Sequence, residues 1–349
     1  MNLSELIPEL GLSLASYTGK EILRRLGMEM IRETVCGTLC GVNIRALTES
    51  LTRRRILLSN LSMLAFQLRL GNEKLDFTEL FRDKYGEASA NEKLYLQWLV
   101  GLTQKGIQNI IRNDASEIDI YLHKLRENIG VLEREVEKEF GNVGGNIRVG
   151  DLKLDIDVDF LLRLFLSLGS QTLAIRGSEK SMYGKLFEKL ILGSMLTTIG
   201  FKPATDTDDS ENIFWLSDKT EKRESDATLL LSLGKGVRFD IGFIGSGNPE
   251  ISLDKASRFD KHKTYKQKEY FMTTFIVVDR IGENSRIIEL AKEIDGVMIQ
   301  MSMTNWVYQI AREIYERHGY RSQILDFRPE ASTAFIREKM KDVNLEQFV

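Results

Sequence analysis

The chain has 349 residues, 42% of them hydrophobic and 28% charged, with 48 basic and 51 acidic side chains and a net charge of −3. That length exceeds one ordinary domain and that apolar fraction supplies real cores, which excludes a disordered chain or a single small fold. The near-neutral balance neither announces nor excludes a nucleic-acid partner, because such binding uses local patches rather than the total.

The N-terminus, MNLSELIPELG, has neither the basic start nor the apolar core of a signal peptide, and no run reads as the roughly 20 apolar residues of a membrane span. A cytoplasmic protein with no membrane association is expected. Cys36 and Cys40 fall four apart in VCGTLC, and His123, His262 and His318 are scattered. Buried or idle thiols are expected there rather than half of a metal site.

Through residue 140 apolar side chains recur at three- and four-residue spacing over 20–34, 44–69, 91–112 and 116–140, and no Pro follows Pro8. This predicts helix after helix. In the last of them Ile118, Leu122, Leu125, Ile129, Leu132, Val136 and Phe140 form one stripe, suited to packing inside a helical domain or to a dimer seam. Arg53, Arg54 and Arg55 in LTRRRIL are expected on an exposed helix face, with phosphate contact as the alternative.

The helical pattern stops in GNVGG at 141–145, after which IRVGDLKLDIDVDF alternates like a strand. A helical domain over 1–145 and an α/β domain over 146–349 are therefore expected. Asp155, Asp157 and Asp159 would line one strand face, either as its wet side or as ligands for a hard cation.

From residue 181 the order of elements becomes specific. SMYGKLFEKLILGSMLTTIGF reads as a helix closed by Gly200, and ENIFWLSD as a short strand. SDATLLLSL, GVRFDIGFIG and PEISLDK read as an antiparallel trio joined by GKG and GSGNP turns. A basic segment then leads into FMTTFIVVDR, an apolar run of the buried parallel type, followed by a helix over NSRIIELAKEID and a strand over VMIQM.

Acids fall at fixed places in this order: Glu188 in YGKLFEKL, Asp240 in VRFDIGF, and Glu250 nine intervening residues later in NPEISLDK. A charge such as Asp240 between Phe239 and Ile241 is costly unless paired or metal-bound. Two carboxylates brought together across a hairpin would hold Mg²⁺, which lowers the pKa of a bound water and neutralises a phosphate. Asp226 in ESDATLL with Asp240 is the alternative pair, with Gly242 then in the third position.

The order of elements and these acids over about residues 180–300 resemble the PD-(D/E)XK fold of type II restriction endonucleases, and RESDAT, RFDIGFIG and NPEISLDK look most like its CfrBI-type enzymes. The resemblance implies an α/β core with a mixed sheet behind the helical domain, and Mg²⁺-dependent cleavage of double-stranded DNA leaving 5′ phosphates. It also implies a homodimer on palindromic targets. Asp240 and Glu250 would be the metal ligands, with Glu188 the additional acid that several families carry.

One position departs from the pattern. Ser252 stands where the resemblance calls for Lys, so Lys255 is the expected substitute. The basic segment DKASRFDKHKTYKQK offers Arg258, Lys261, Lys263, Lys266 and Lys268 to the DNA backbone, with a solvated face as the alternative. A DNA-binding protein that has lost catalysis, or a repair or junction nuclease on the same fold, are the competing functions.

Overall fold

The computed structural model describes residues 2–16, 21, 23–24, 27–110, 116–205, 211–217, 225–232, 234–242, 262–265, 268–280 and 296–349. Two compact units emerge, Met1–Thr18 with Ser50–Ser181, and Gly19–Glu49 with Met182–Val349. This division by contacts differs from the one expected at 145, because an N-terminal segment joins the second unit and the start of the following helix joins the first.

In chain order the first elements are α1 (Leu3–Leu6), α2 (Glu9–Ala15), α3 (Met28–Leu39), α4 (Ile44–Asn72), α5 (Phe77–Lys84), α6 (Ala90–Leu99), α7 (Gln104–Ile110) and α8 (Glu117–Phe140). The helix expected over 91–112 is two helices. Ser89 and Glu92 form a capping box that starts the first, and Gly101, at φ +79, turns the chain after it. Phe66, Tyr95, Trp98, Leu99 and Leu122 lie in the first unit's core.

The α8 stripe splits along its length. Leu122 and Ile129 are buried and Ile118 and Leu125 pack against the same core, whereas Leu132 is 45% and Phe140 74% exposed. The arginine cluster splits as well. Arg53 and Arg54 are exposed, but Arg55 is only 1% exposed, its Nε and Nη2 donating to the Leu14 carbonyl and Nη2 also to that of Ala15. The exposed face expected there fails at Arg55 because the last carbonyls of α2 need donors.

A hairpin of β1 (Gly145–Val149) and β2 (Leu152–Ile156) leads into α9 (Val158–Ile199). The three aspartates therefore do not share a strand face. Asp155 lies exposed in β2, Asp157 caps α9 by accepting the Phe160 N–H at 2.8 Å, and Asp159 pairs with Arg163 one turn on.

The helix expected from 181 begins instead at Val158 and runs 42 residues. Its Val158–Ser178 stretch is long and apolar enough to cross a membrane by length and composition, which corrects the expectation from sequence; 39% of that stretch is buried. Phe160 and Leu164 pack on Leu68, and Ser167 bonds to Gln67, so this stretch has partners within the helical unit.

The second unit holds β3 (Lys202–Pro203), β4 (Ile213–Leu216), β5 (Ala227–Leu230), β6 (Lys235–Gly242), β7 (His262–Tyr265), β8 (Lys268–Val278) and β9 (Val297–Gln300), then α10 (Trp306–His318) and α11 (Ser332–Asp342). The seven strands form one sheet in the order β3-β4-β5-β6-β8-β7, with β9 also on β8. β4, β5 and β6 run antiparallel, whereas β6, β8 and β9 run parallel, which makes the expected mixed sheet of an α/β protein.

Side chains that alternate along these strands give the sheet two unlike faces. One carries Phe214, Leu229, Val237, Phe239, Phe275 and Val277, all nearly inaccessible, with the Phe239 and Phe275 rings 5.2 Å apart. The other face holds the site. α3 packs with the C-terminal helices: Arg32 donates to the Val343 carbonyl at 2.8 Å, and Trp306 Nε1 to the Thr38 carbonyl at 2.9 Å.

Candidate active site

Three cross-strand rows make up the second face. The first, Leu230, Gly236 and Met272, is apolar and joins Ile213 and Tyr270 in a small cluster. A Cβ at Gly236 would stand 2.5 Å from the Met272 sulfur, so the methionine would have to move for any larger residue there. The second row is Thr228, Arg238 and Thr274, all buried. In the third, Asp240 lies opposite Ile276 on β8 and is only 4% exposed. Polarity thus rises toward the C-terminal end of β6, where parallel strands commonly present ligand sites.

Asp226 immediately precedes β5, and extending the β5–β6 register by one residue sets it opposite Asp240. The paired ladder itself ends at Ala227 opposite Phe239, one residue short of Asp226 and Asp240. The next acceptor for the Ile241 N–H would be the Ser225 carbonyl, which takes the Ser217 hydroxyl. Asp226 Oδ2 accepts the Ile241 N–H instead, at 2.9 Å. Its carbonyl accepts from the Ser217 N–H at 3.1 Å, so both ends of Asp226 are held.

Of the other expected site residues, Glu188 lies half-buried on α9. Glu250, Lys255, Arg258, Lys261 and Lys266 lie outside the described residues, as does the strand expected over PEISLDK. The first two strands of the expected trio are β5 and β6, antiparallel as expected, and β4 joins them on the far side of β5. Lys263 lies in β7 and Lys268 begins β8. Lys263 pairs with Tyr270, six residues before Ile276 on β8, so it stands about 20 Å along the sheet from Asp240.

Asp279 is an acid that the sequence reading passed over. It follows β8 directly, is 5% exposed, and its N–H donates to the Gly242 carbonyl at 3.3 Å. Burial pushes its carboxyl up, against the opposing pull of Arg45 and Arg280. The signal available was a carboxylate closing the apolar run FIVVD. Cys36 and Cys40 are both buried and free. The hydrogen bond from Cys40 brings Cys36 down to about 7 against the cost of burial, with Arg337 and Arg32 assisting. Among the described residues no three His, Cys, Asp or Glu side chains form a metal cluster.

A mixed sheet with buried acids at the end of its central strands is an architecture suited to a nuclease core, and comparison with known proteins gives the class. The model of the CfrBI restriction endonuclease family matches residues 28–286. The type II restriction enzyme CfrBI of Citrobacter freundii is 36% identical over 350 residues, covering 97% of this chain and 96% of that protein. No solved structure matches. The chain is a site-specific deoxyribonuclease acting on double-stranded DNA. It belongs to the CfrBI restriction endonuclease family.

Proposed function

We propose that the chain hydrolyses both strands of a short DNA sequence in a Mg²⁺-dependent reaction that leaves 5′ phosphates, on a PD-(D/E)XK core, as a homodimer in the cytoplasm. What supports the reading is that the β5–β6 register, continued one residue past Ala227 and Phe239, would bring Asp226 and Asp240 together, with the Asp226 Oδ2 held by the Ile241 N–H. Two carboxylates at strand spacing fit a hard cation, which takes one or two such ligands and completes its shell with water and phosphate oxygens. The alternative pairing of Asp240 with Glu250 keeps Asp240 as the common ligand.

When bound, the cation supplies a water of lowered pKa and neutralises charge on the scissile phosphate. Asp240 contributes a carboxylate that its apolar neighbours keep from being hydrated freely, which favours a bound cation over water. Asp226 is positioned by the Ile241 N–H, so its carboxylate does not need to reorganise when the substrate arrives. Arg238, on the same face one row away, adds a fixed positive charge. Lys255 is the proposed partner of the attacking water in place of the absent motif lysine, and Glu188 a supplementary acid.

The basic segment would bind backbone phosphates. Its described part lies at the opposite end of the strands from Asp240, so Lys263 and Lys268 suit phosphates roughly six base pairs from the cut rather than the scissile group. Incubation of the purified protein with a long plasmid and Mg²⁺ tests the function: discrete fragments with ligatable 5′ phosphates are expected. Intact DNA, or nicks that follow structure rather than sequence, would overturn it.

A further inference from the structure

The hairpin of β1 and β2 is a two-stranded ribbon of its own, joined to no other strand among the described residues. Gly150 and Asp151 make its turn, with Gly150 at φ +61. Alternation along the strands sorts the side chains onto two faces. Ile147, Leu154 and Ile156 pack on Leu68, Phe160 and Leu164, and Leu154 also lies against Gly71 of α4, so the inner face is seated on the helical unit. A lone hairpin is marginal in water, and this seat holds it in one shape. The outer face carries Asn146, Arg148, Lys153 and Asp155, all exposed.

The register sets Asn146 opposite Asp155 and Arg148 opposite Lys153 on that outer face. Like charges directly opposite each other, with Cβ atoms about 5 Å apart, cost a hairpin stability, and an electronegative partner relieves them. Arg148 Nε donates to the Gly150 carbonyl at 2.9 Å, which ties its guanidinium to the turn. Asp151 and Asp155 offset the two cations, so the ribbon is poorly suited to the phosphate backbone, whose binding is a matter of added positive charge. Base edges fit it better because they present donors as well as acceptors. Guanine N7 and O6 accept from Arg or Lys, adenine N6 and N7 pair with Asn, and cytosine N4 donates to Asp.

The size agrees as well. A major groove about 12 Å wide and 8.5 Å deep admits a two-stranded ribbon, whose strands stand ~4.8 Å apart. Strands of five residues span roughly 17 Å, or about five base pairs. We propose that the β1–β2 ribbon reads base edges in the major groove of the target, with Arg148 and Lys153 on guanines and Asn146 and Asp155 on adjoining pairs. The helical unit then supplies sequence recognition, which the acids of the sheet do not. The proposal rests on double-stranded DNA as the substrate and is independent of the metal and of the position of the cut.

Selection of bound duplexes from a random-sequence library by the full chain, with Ca²⁺ in place of Mg²⁺, tests it. The wild type should enrich one motif, and Arg148→Ala and Lys153→Ala should each relax one or two of its positions. Affinity for the wild-type motif should fall on the order of 10- to 100-fold in each variant, while affinity for unrelated duplex changes far less. Methylation of guanine N7 at a relaxed position should block the wild type and leave the variant indifferent. The thermal midpoint should hold or rise, because both side chains are exposed and the substitution removes a like-charge pair. An intact motif in both variants, an equal loss on motif and unrelated duplex, or a wild type that enriches no motif overturns the proposal. Relaxation by the variants supports the ribbon even where the wild type leaves the motif uncut with Mg²⁺, an outcome that would sink only the proposed reaction.

Discussion

Asp226 binds the backbone of the strand that carries Asp240: its Oδ2 accepts the N–H of Ile241, the residue after Asp240, at 2.9 Å. The contact separates the structural from the chemical work of Asp226. Asparagine at this position keeps an oxygen for the N–H and loses the charge. Asp226→Asn should therefore melt close to the wild type yet cleave at least 10²-fold more slowly, with DNA binding intact. Asp226→Ala should lose cleavage and also about 1–3 kcal/mol of stability, because the Ile241 N–H is left in a buried strand without its acceptor. Asp240→Asn should behave as Asp226→Asn in cleavage. Wild-type rates for either asparagine variant would remove the pair from the site.

Glu250 and Lys255 are decided by the same comparison. Where Asp240 is paired with Asp226, Glu250→Gln should retain cleavage within a few-fold; where it is paired with Glu250, that variant should fall as far as Asp240→Asn. Lys255→Ala should lower the single-turnover rate on the order of 10²-fold if its ammonium stabilises the added charge. A defect rescued by more protein would make Lys255 a phosphate contact.

Much of the sheet was legible in the sequence, for physical reasons that also account for what was missed. FMTTFIVVDR is apolar on both sides because β8 is flanked by the parallel strands β6 and β9, and that pattern is visible without coordinates. The α8 stripe was visible too, but only its first half packs, since periodicity reports amphipathicity and says nothing of where the partner ends. Gly169 and Gly177 hid the continuity of α9 upstream of residue 181. The acid pair was harder, because Glu250 and Asp226 are both a short turn or hairpin away from Asp240 in sequence and only the register chooses between strands. Lys263 near the acids in sequence proved distant along the sheet, because the chain passes from β6 to β8 before the two strands run parallel.

Arg55 is expected to be structural. Its guanidinium serves the carbonyls of Leu14 and Ala15 at 2.9–3.1 Å, so Arg55→Ala leaves buried acceptors unmet and should cost about 2–4 kcal/mol. Arg53→Ala and Arg54→Ala, both at exposed positions, should stay within about 0.5 kcal/mol of the wild type. Thermal or urea melts of the three variants check the contrast.

His318 at the end of α10 carries a pH signature. Burial, with Lys235 and Arg317 nearby, brings its imidazole from 6.5 down to about 4, and neither ring nitrogen has a hydrogen-bond partner among the described residues. The unfolded chain therefore binds a proton that the folded chain refuses between those values. Stability is fully present above pH 6.5, falls as pH drops toward 4 and levels below it. His318→Gln should remove that component of the slope. An unchanged dependence of the urea midpoint over pH 4–6.5 in the variant would show that His318 is not its source.

The basic segment makes the most extended prediction, because it links sheet geometry to DNA contacts. With Lys263 about 20 Å along the strands from Asp240, its phosphate would lie roughly six base pairs from the scissile bond. Replacing Lys261, Lys263 and Lys266 by alanine should weaken binding about equally on cognate and unrelated DNA, and reduce the slope of log K against log salt by roughly one for each lost contact. Base discrimination should survive, since phosphate contacts position the protein without reading sequence. Ethylation interference should show the protected phosphates displaced from the cut rather than at it. A slope unchanged in the triple variant, or interference confined to the phosphates flanking the cut, would make these lysines a solvated strand edge.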